Sequence, residues 1–247
     1  SEGRFVRTPL LWQRLEYYYT QVVYQDIDSL IAACEKVLNL ASQNDSIFKY
    51  TMNFFTDYSQ ESPIMGIDKL FVHLVEKYHN KGKAFWWDEA ELIRYRARAA
   101  VWKTLLIGQP APDITVTDVN DIPVSLYNVD AKFTLVVFWA PDCEHCQIEM
   151  PELGRMYKKY VDRGCEVFAV SGGEQLEDWK PFLRKHNLLN WINVFPRTIN
   201  EYQFVEDYDV TGTPKFFLLD ENKTIVAKKL SLEGFLQFMD DRIAEEG

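Results

Sequence analysis

"FTLVVFWAPDCEHCQIEMPEL", residues 133–153, is the stretch whose reading decides the fold. Its first seven residues are uncharged and largely apolar with no polar alternation, as in a strand buried on both faces in the middle of a sheet. Two cysteines follow three positions apart, Cys143 and Cys146, with His145 between them and Glu149 three residues on. From Cys143 to Gly164 the residues read as a helix ending at a glycine. The strand thus ends near Trp139 and hands the first cysteine to a helix N-terminus. Unpaired N–H groups and the positive end of the helix dipole meet there, and both favour thiolate over thiol. Cys143 holds the open first position and Cys146 lies one turn deeper. Cys143 is therefore expected to attack a disulfide and Cys146 to resolve the product. His145, once protonated, would add to the stabilisation of the thiolate, and Glu144 opposes it.

Other chemistries fit the pair less well. A structural zinc site needs four ligands, usually two such knuckles, and no second one occurs. Haem attachment needs C-x-x-C-H, and residue 147 is Gln. An inert buried pair stays open. His73, His79 and His186 show no ligand spacing and read as surface or hydrogen-bonded histidines. No metal and no organic cofactor is expected, because a dithiol carries two electrons by itself.

Working toward the N-terminus, the period changes near Gly108. Before it the chain reads as successive helices. Thr8-Pro9 has the form of a helix start. In residues 26–41, Leu30, Ile31, Cys34, Val37, Leu38 and Ala41 fall on one face, and in residues 66–80 so do Ile67, Leu70, Phe71, Leu74, Val75 and Tyr78. Residues 88–108 open with Asp88 and Glu91 at capping-box spacing and close at Gly108. The many aromatics of this half read as fillers of a helical core. After Gly108, Pro110, Pro112 and Pro123 surround two short alternating runs, which suggests a linker leading into a hairpin. Beyond the dithiol, "CEVFAV" reads as a buried strand, residues 176–188 and 199–210 as helices, and residues 215–230 as a hairpin turning at Glu221–Lys223. A last helix is capped by Ser231. The result is a mixed α/β sheet behind an all-α domain.

Charge divides at the same place. Up to Gly108 there are 13 basic and 13 acidic residues, and from Gln109 onward 14 and 24, so the net charge of -10 lies entirely in the second part. Such a balance argues against nucleic acid as a partner. The longest uncharged apolar run, Phe133 to Pro141, is far too short to span a bilayer. No basic-plus-apolar leader precedes Ser1, so the residues themselves do not carry an address.

"FWAPDCEHC", followed about seventy residues later by "VTGTP", resembles the thioredoxin superfamily, and more closely its TlpA- and ResA-type thiol-disulfide oxidoreductases. "IGQPAPDITVTD", "CQIEMP" and "YDVTGTPKFFLLDENKTI" fit that type in the right order, over Leu106 to Gly247. The helical part is similar to an accessory domain that precedes thioredoxin-like domains in secreted proteins and lipoproteins of Bacteroides-like bacteria. The resemblance implies a thioredoxin-like fold, a central mixed sheet flanked by helices, over residues 106–247, preceded by a helical domain over residues 1–105. It matches Cys143 and Cys146 to the redox pair, Pro214 to a cis-proline beside it, and Thr213 to a residue offering backbone groups to an extended substrate. Trp139 is expected at the same substrate-facing edge, and Glu149 matches an acid that accepts a proton near the dithiol. The sequence departs from the pattern at His145, where Pro is common, at Asp142, where Trp is common, and at Val137, where thioredoxin has a buried acid. The implied partners are protein thiols and disulfides and a membrane or periplasmic electron-donor thiol protein. The implied address is the periplasm or outer cell envelope, lipid-anchored forms included. Two alternatives stand beside this reading. One is a non-catalytic binding or assembly module on the same scaffold. The other is a peroxiredoxin-like peroxidase, disfavoured because Ala140 lies three positions before Cys143 where that chemistry wants a hydroxyl.

Overall fold

The computed structural model describes residues 9–172 and 176–245. Thr8, read as a helix cap, lies outside the described residues. The chain divides into two compact units, Ser1–Lys103 and Thr104–Gly247. Among the described residues no helix is long and apolar enough to cross a membrane.

The first unit is built from α1 (Pro9–Tyr17), α2 (Ile27–Ala41), α3 (Asp45–Glu61), α4 (Asp68–Leu74) and α5 (Glu89–Thr104). Local chemistry starts these helices where it is able to. The Asp26 carboxylate accepts from the N–H groups of Asp28 and Ser29, and the Asn44 side chain accepts from Ser46 and Ile47. Asp88 and Glu91 form the reciprocal capping box: the Glu91 N–H donates to Asp88 at 2.8 Å and the Asp88 N–H to Glu91 at 3.2 Å. The apolar stripes of α2 and α4 then meet α3, so that Leu30, Cys34 and Leu38 pack with Phe54, Phe55, Leu70 and Leu74. Tyr19 is buried among them and its hydroxyl donates to the Leu30 carbonyl at 2.7 Å.

Two histidines of this unit behave differently. His73 is hydrogen-bonded to Glu35 at 2.6 Å, as a satisfied histidine should be. His79 is neither at the surface nor satisfied. It closes a π-helical turn, Val75–His79, is fully buried against Trp87 and Tyr95, and has no hydrogen-bond partner for either ring nitrogen among the described residues. Sequence pattern misses this because Val75 and Tyr78 carry the apolar face and the wider turn rotates His79 inward beside them.

The second unit holds a five-stranded sheet in the order β5-β4-β3-β6-β7. Here β3 is Phe133–Trp139, β4 is Cys165–Ser171, β5 is Ile192–Val194, β6 is Lys215–Asp220 and β7 is Ile225–Lys228, while a separate hairpin pairs β1 (Thr115–Thr117) with β2 (Pro123–Ser125). β3 runs parallel to β4 and antiparallel to β6, so its unbroken apolar character matches its central place. On one face Leu135, Val137 and Trp139 pack with Cys146, Met150 and Leu153 of α6 (Glu144–Val161), Leu183 of α7 (Leu176–Lys185) and Phe235 of α9 (Leu232–Glu245). On the other, Phe138 meets Phe204 at 5.5 Å, in the short α8 (Gln203–Asp207), and Tyr208 at 4.9 Å. Gly154 lets α6 approach closely: a Cβ there would stand 2.4 Å from Leu188. Ser231 caps α9 through the Gly234 N–H, and the β6–β7 turn closes with Lys223 in the left-handed region at φ 62°.

Three details depart from the pattern-based reading. The short strand β5 was not separable from its surroundings by alternation. Residues 199–210 form a 3-10 turn, Ile199–Tyr202, followed by α8 rather than one helix, and the left-handed Asp209 at φ 47° ends it. Finally, α5 stops at Thr104, and the stretch after it is no linker. Leu105 and Ala111 are buried, the Leu105 carbonyl accepts from Lys228 Nζ, and Gly108 N–H donates to Ile225 at 2.8 Å. Ile225 N–H returns a bond to Gln109 at 2.9 Å, and Ala111 N–H donates to Lys223 at 2.9 Å. The segment is an extra rung on β7.

Two outcomes follow for stability. Hydrogen exchange of the Gly108 and Ala111 amides should be as slow as that of β7, and proteases should spare residues 105–111; loop-like exchange there would contradict the added rung. The second concerns His79, whose pKa burial, and then Arg96, depress from 6.5 to about 4. The unfolded chain takes up this proton below about pH 6.5 and the folded one does not, so the contribution is complete above that pH and fades toward pH 4. Urea unfolding should therefore show wild type losing about 2 kcal/mol more than His79→Phe between pH 7 and pH 5. Parallel losses in the two proteins would exclude a buried neutral imidazole.

Candidate active site

The end of β3 fixes the site. Pro141 follows the strand, and the chain turns so that Cys143 becomes the N-cap of α6 in an extended backbone conformation. Its sulfur takes the place of a capping oxygen and accepts from the Cys146 N–H at 3.4 Å. The Gln147 side chain donates to the Pro141 carbonyl at 2.9 Å and ties this turn down. β6 lies beside β3 with Lys215 opposite Phe138, which sets Thr213 and Pro214 against the turn. The Thr213–Pro214 peptide is cis. The Cys143 thiol donates to the Thr213 carbonyl at 3.2 Å.

The two sulfurs sit in different surroundings. Cys143 is partly exposed and Cys146 is fully buried. Partial burial alone would raise the Cys143 thiol. Hydrogen bonds with the side chains of Cys146 and Thr213 and from the backbone N–H groups of Cys146 and His145 outweigh it and hold the group below the ordinary thiol range. Burial, joined by the bond to Cys143, pushes Cys146 up to about 12. All four cysteines are free thiols in this structure. Burial likewise pushes Cys165 up to about 12, with Glu166 adding to it, and raises Cys34 well above the usual range with the help of Glu35.

Glu149 lies one turn after Cys146 on the same helix face. It is half-buried, and its Oε2 is buried without a hydrogen-bond partner among the described residues. Burial raises its pKa, the charge of His145 works against that, and Glu152 adds to it. The His145 side chain is exposed. Its backbone N–H serves the Cys143 sulfur, while its charge acts on Glu149.

Comparison with known proteins bears on this geometry. Residues 107–228 match the AhpC/TSA family. The thiol-disulfide oxidoreductase ResA of Bacillus cereus is 30% identical over 150 residues, covering 58% of this chain and 84% of that protein. The chain belongs to the ResA-like thiol-disulfide oxidoreductases, on the thioredoxin-like fold. A solved domain of a possible thiol-disulfide isomerase from Cytophaga hutchinsonii is 34% identical, with a TM-score of 0.53, over 57% of this chain and 95% of that one. A thioredoxin-like protein from Bacteroides caccae aligns over 87% of this chain and 77% of its own with a TM-score of 0.70 at 20% identity, a likeness of fold that takes in the helical unit as well.

Of the residues singled out in sequence, the structure gathers Cys143, Cys146, Thr213 and Pro214 and sets Glu149 one turn along α6. Trp139 borders the cavity next to these residues but does not present its ring there. Its ring is fully buried and packs 5.1 Å from Phe182, so it fills the core beneath the site instead of facing a substrate. The alternation of the strand between its two buried faces decides which side the ring takes, since Trp139 shares the face of Leu135 and Val137 that packs on α6. What the sequence left unmarked is a cavity of about 410 Å³ whose lining includes Phe138, Phe204, Val205 and Val210 together with Asp142 and Thr213, the residue that contacts the Cys143 sulfur. Its walls come from distant segments, so no local motif announces it.

Selective alkylation tests these environments. At pH 7, iodoacetamide should modify Cys143 of the reduced, folded protein faster than a free cysteine, leaving Cys34, Cys146 and Cys165 untouched until denaturation. The rate should titrate below the ordinary thiol range. Equal labelling of Cys143 and Cys146 would contradict the assigned difference.

Proposed function

We propose that the chain exchanges disulfides with protein thiols through the Cys143–Cys146 pair, with Cys143 as nucleophile and Cys146 as resolving thiol. The observation that carries this reading is the capped Cys143 sulfur, lowered in pKa at the start of α6 and 3.2 Å from the Thr213 carbonyl that precedes the cis-proline. The Cys143 thiolate attacks one sulfur of a substrate disulfide, forms a mixed disulfide and releases the other substrate sulfur as thiolate. Cys146 then gives up its proton and attacks Cys143, the remaining substrate thiolate departs, and the protein is left oxidised by two electrons. An electron-donor thiol protein returns it to the dithiol.

Cys146 is the difficult proton to remove, because burial opposes its charge. Glu149, whose pKa burial raises, is suited to take that proton and to return it in the reverse direction. Thr213 offers backbone groups to an extended substrate segment beside Cys143, with Pro214 holding that edge. The ResA likeness supports a site of action in the cell envelope, and Ala140, in place of a hydroxyl residue, speaks against peroxidase chemistry.

Insulin-disulfide reduction by wild type, and its loss in Cys143→Ser and Cys146→Ser, tests the activity. Cys146→Ser should accumulate mixed disulfides through Cys143, and Cys143→Ser should accumulate few. Glu149→Gln should slow turnover while leaving Cys143 alkylation nearly unchanged, the signature of a proton acceptor for the second thiol. Equal trapping by both serine variants would reverse or remove the assigned roles.

A further inference from the structure

The cavity beside Cys143 has a composition that the exchange reaction alone does not explain. The apolar side chains of Phe138, Phe204, Val205 and Val210 share its lining with Thr211, Gly212 and Thr213, and a single carboxylate, Asp142, stands exposed among the lining residues. Thr213 belongs both to that lining and to the contact with Cys143 Sγ. A substrate sulfur that reaches Cys143 therefore brings the side chain next to its own cysteine to this cavity. Apolar side chains beside one negative group fit a long side chain with an aliphatic stem and a cationic tip.

The surrounding charges agree. Glu144 and Glu206, adjacent in sequence to Cys143 and Val205, are exposed. The cation nearest in sequence to Thr213, Lys215, is half-buried with its ammonium donating to the carbonyls of Tyr208 at 2.8 Å and Asp209 at 2.6 Å. All of the chain's net charge of -10 lies from Gln109 onward.

We propose that this cavity is a specificity pocket for the substrate residue flanking the reactive cysteine, and that Asp142 selects lysine or arginine there. The proposal rests on the dithiol function given above. Asp142 acts on encounter and on orientation of the mixed disulfide, and it takes no part in bond exchange.

The test uses the reduced full chain and a set of short peptides, each with one cysteine joined to pyridine-2-thiol through a disulfide. The peptides differ only in the residue flanking that cysteine, which is Lys, Leu, Gly or Glu. Attack by Cys143 on the peptide sulfur releases pyridine-2-thione, which is followed by its absorbance. At low ionic strength the Lys peptide should react fastest and the Glu peptide slowest, with a ratio of roughly tenfold that shrinks as salt is added. Asp142→Lys should invert the Lys-to-Glu order, and Val205→Trp, which fills the cavity, should bring the Lys and Leu peptides down toward the Gly peptide. Equal rates for all four peptides, or a Lys-to-Glu ratio unmoved by Asp142→Lys, would overturn the pocket while leaving the dithiol function standing. Absence of pyridine-2-thione release from every peptide would remove the dithiol function, and the pocket with it.

Discussion

The bond from the Cys146 N–H to the Cys143 sulfur is the constraint on which the site depends. A helix start needs an acceptor for its first free N–H groups, and here the acceptor is the Cys143 sulfur, the nucleophile of the proposed exchange. The same few atoms therefore begin α6 and lower the nucleophile's pKa. That coupling works only if α6 starts where β3 stops. The central strand is held on both sides by ladders to β4 and β6, which leaves little freedom in where its end emerges. β6 then brings the Thr213 carbonyl to the other side of the same sulfur.

Burial does the remaining sorting. Four thiols of identical intrinsic chemistry are separated by how much water each one reaches and which donors surround it. Cys34 and Cys165 lie in the cores of the two units and are held neutral. Cys146 is equally buried, but one turn from an open sulfur. Its resistance to ionisation keeps the dithiol from losing both protons together, and the proposed exchange therefore calls on a second group to take the Cys146 proton. Glu149 Oε2, without a hydrogen-bond partner among the described residues, fits that demand, because a carboxylate with fewer hydrogen bonds is a stronger base.

Much of this was legible in the sequence. The unbroken apolar run of β3, the cysteine spacing and the Gly164 stop define strand, turn and helix by local rules alone. The capping pair Asp88 and Glu91 was equally plain. What local rules missed depends on contacts between distant segments. Trp139 reads as a residue at the mouth of the site, yet its ring packs into the core that β3 shares with α6 and α7. The end of α5 was placed at Gly108 because glycine is a good stop, but Lys228 and Ile225, more than a hundred residues later, draw Leu105 and Gly108 onto the sheet. The cavity joins α8 to the end of β3, which no single window of sequence contains.

The rung formed by residues 108–111 bears on where the sheet ends. Without it β7 would be an open edge with unpaired amides and carbonyls, a surface on which another chain is able to add a strand. The other edge is closed by the same stretch of chain a few residues later, where Thr117 accepts from the Phe195 N–H at 2.8 Å and Asp118 bridges Val194. One short run of sequence thus hems both margins of the sheet. A thioredoxin-like piece cut to begin at its first strand, β1, would keep every residue of the dithiol site and still lose the guard on β7, leaving an edge open to self-association.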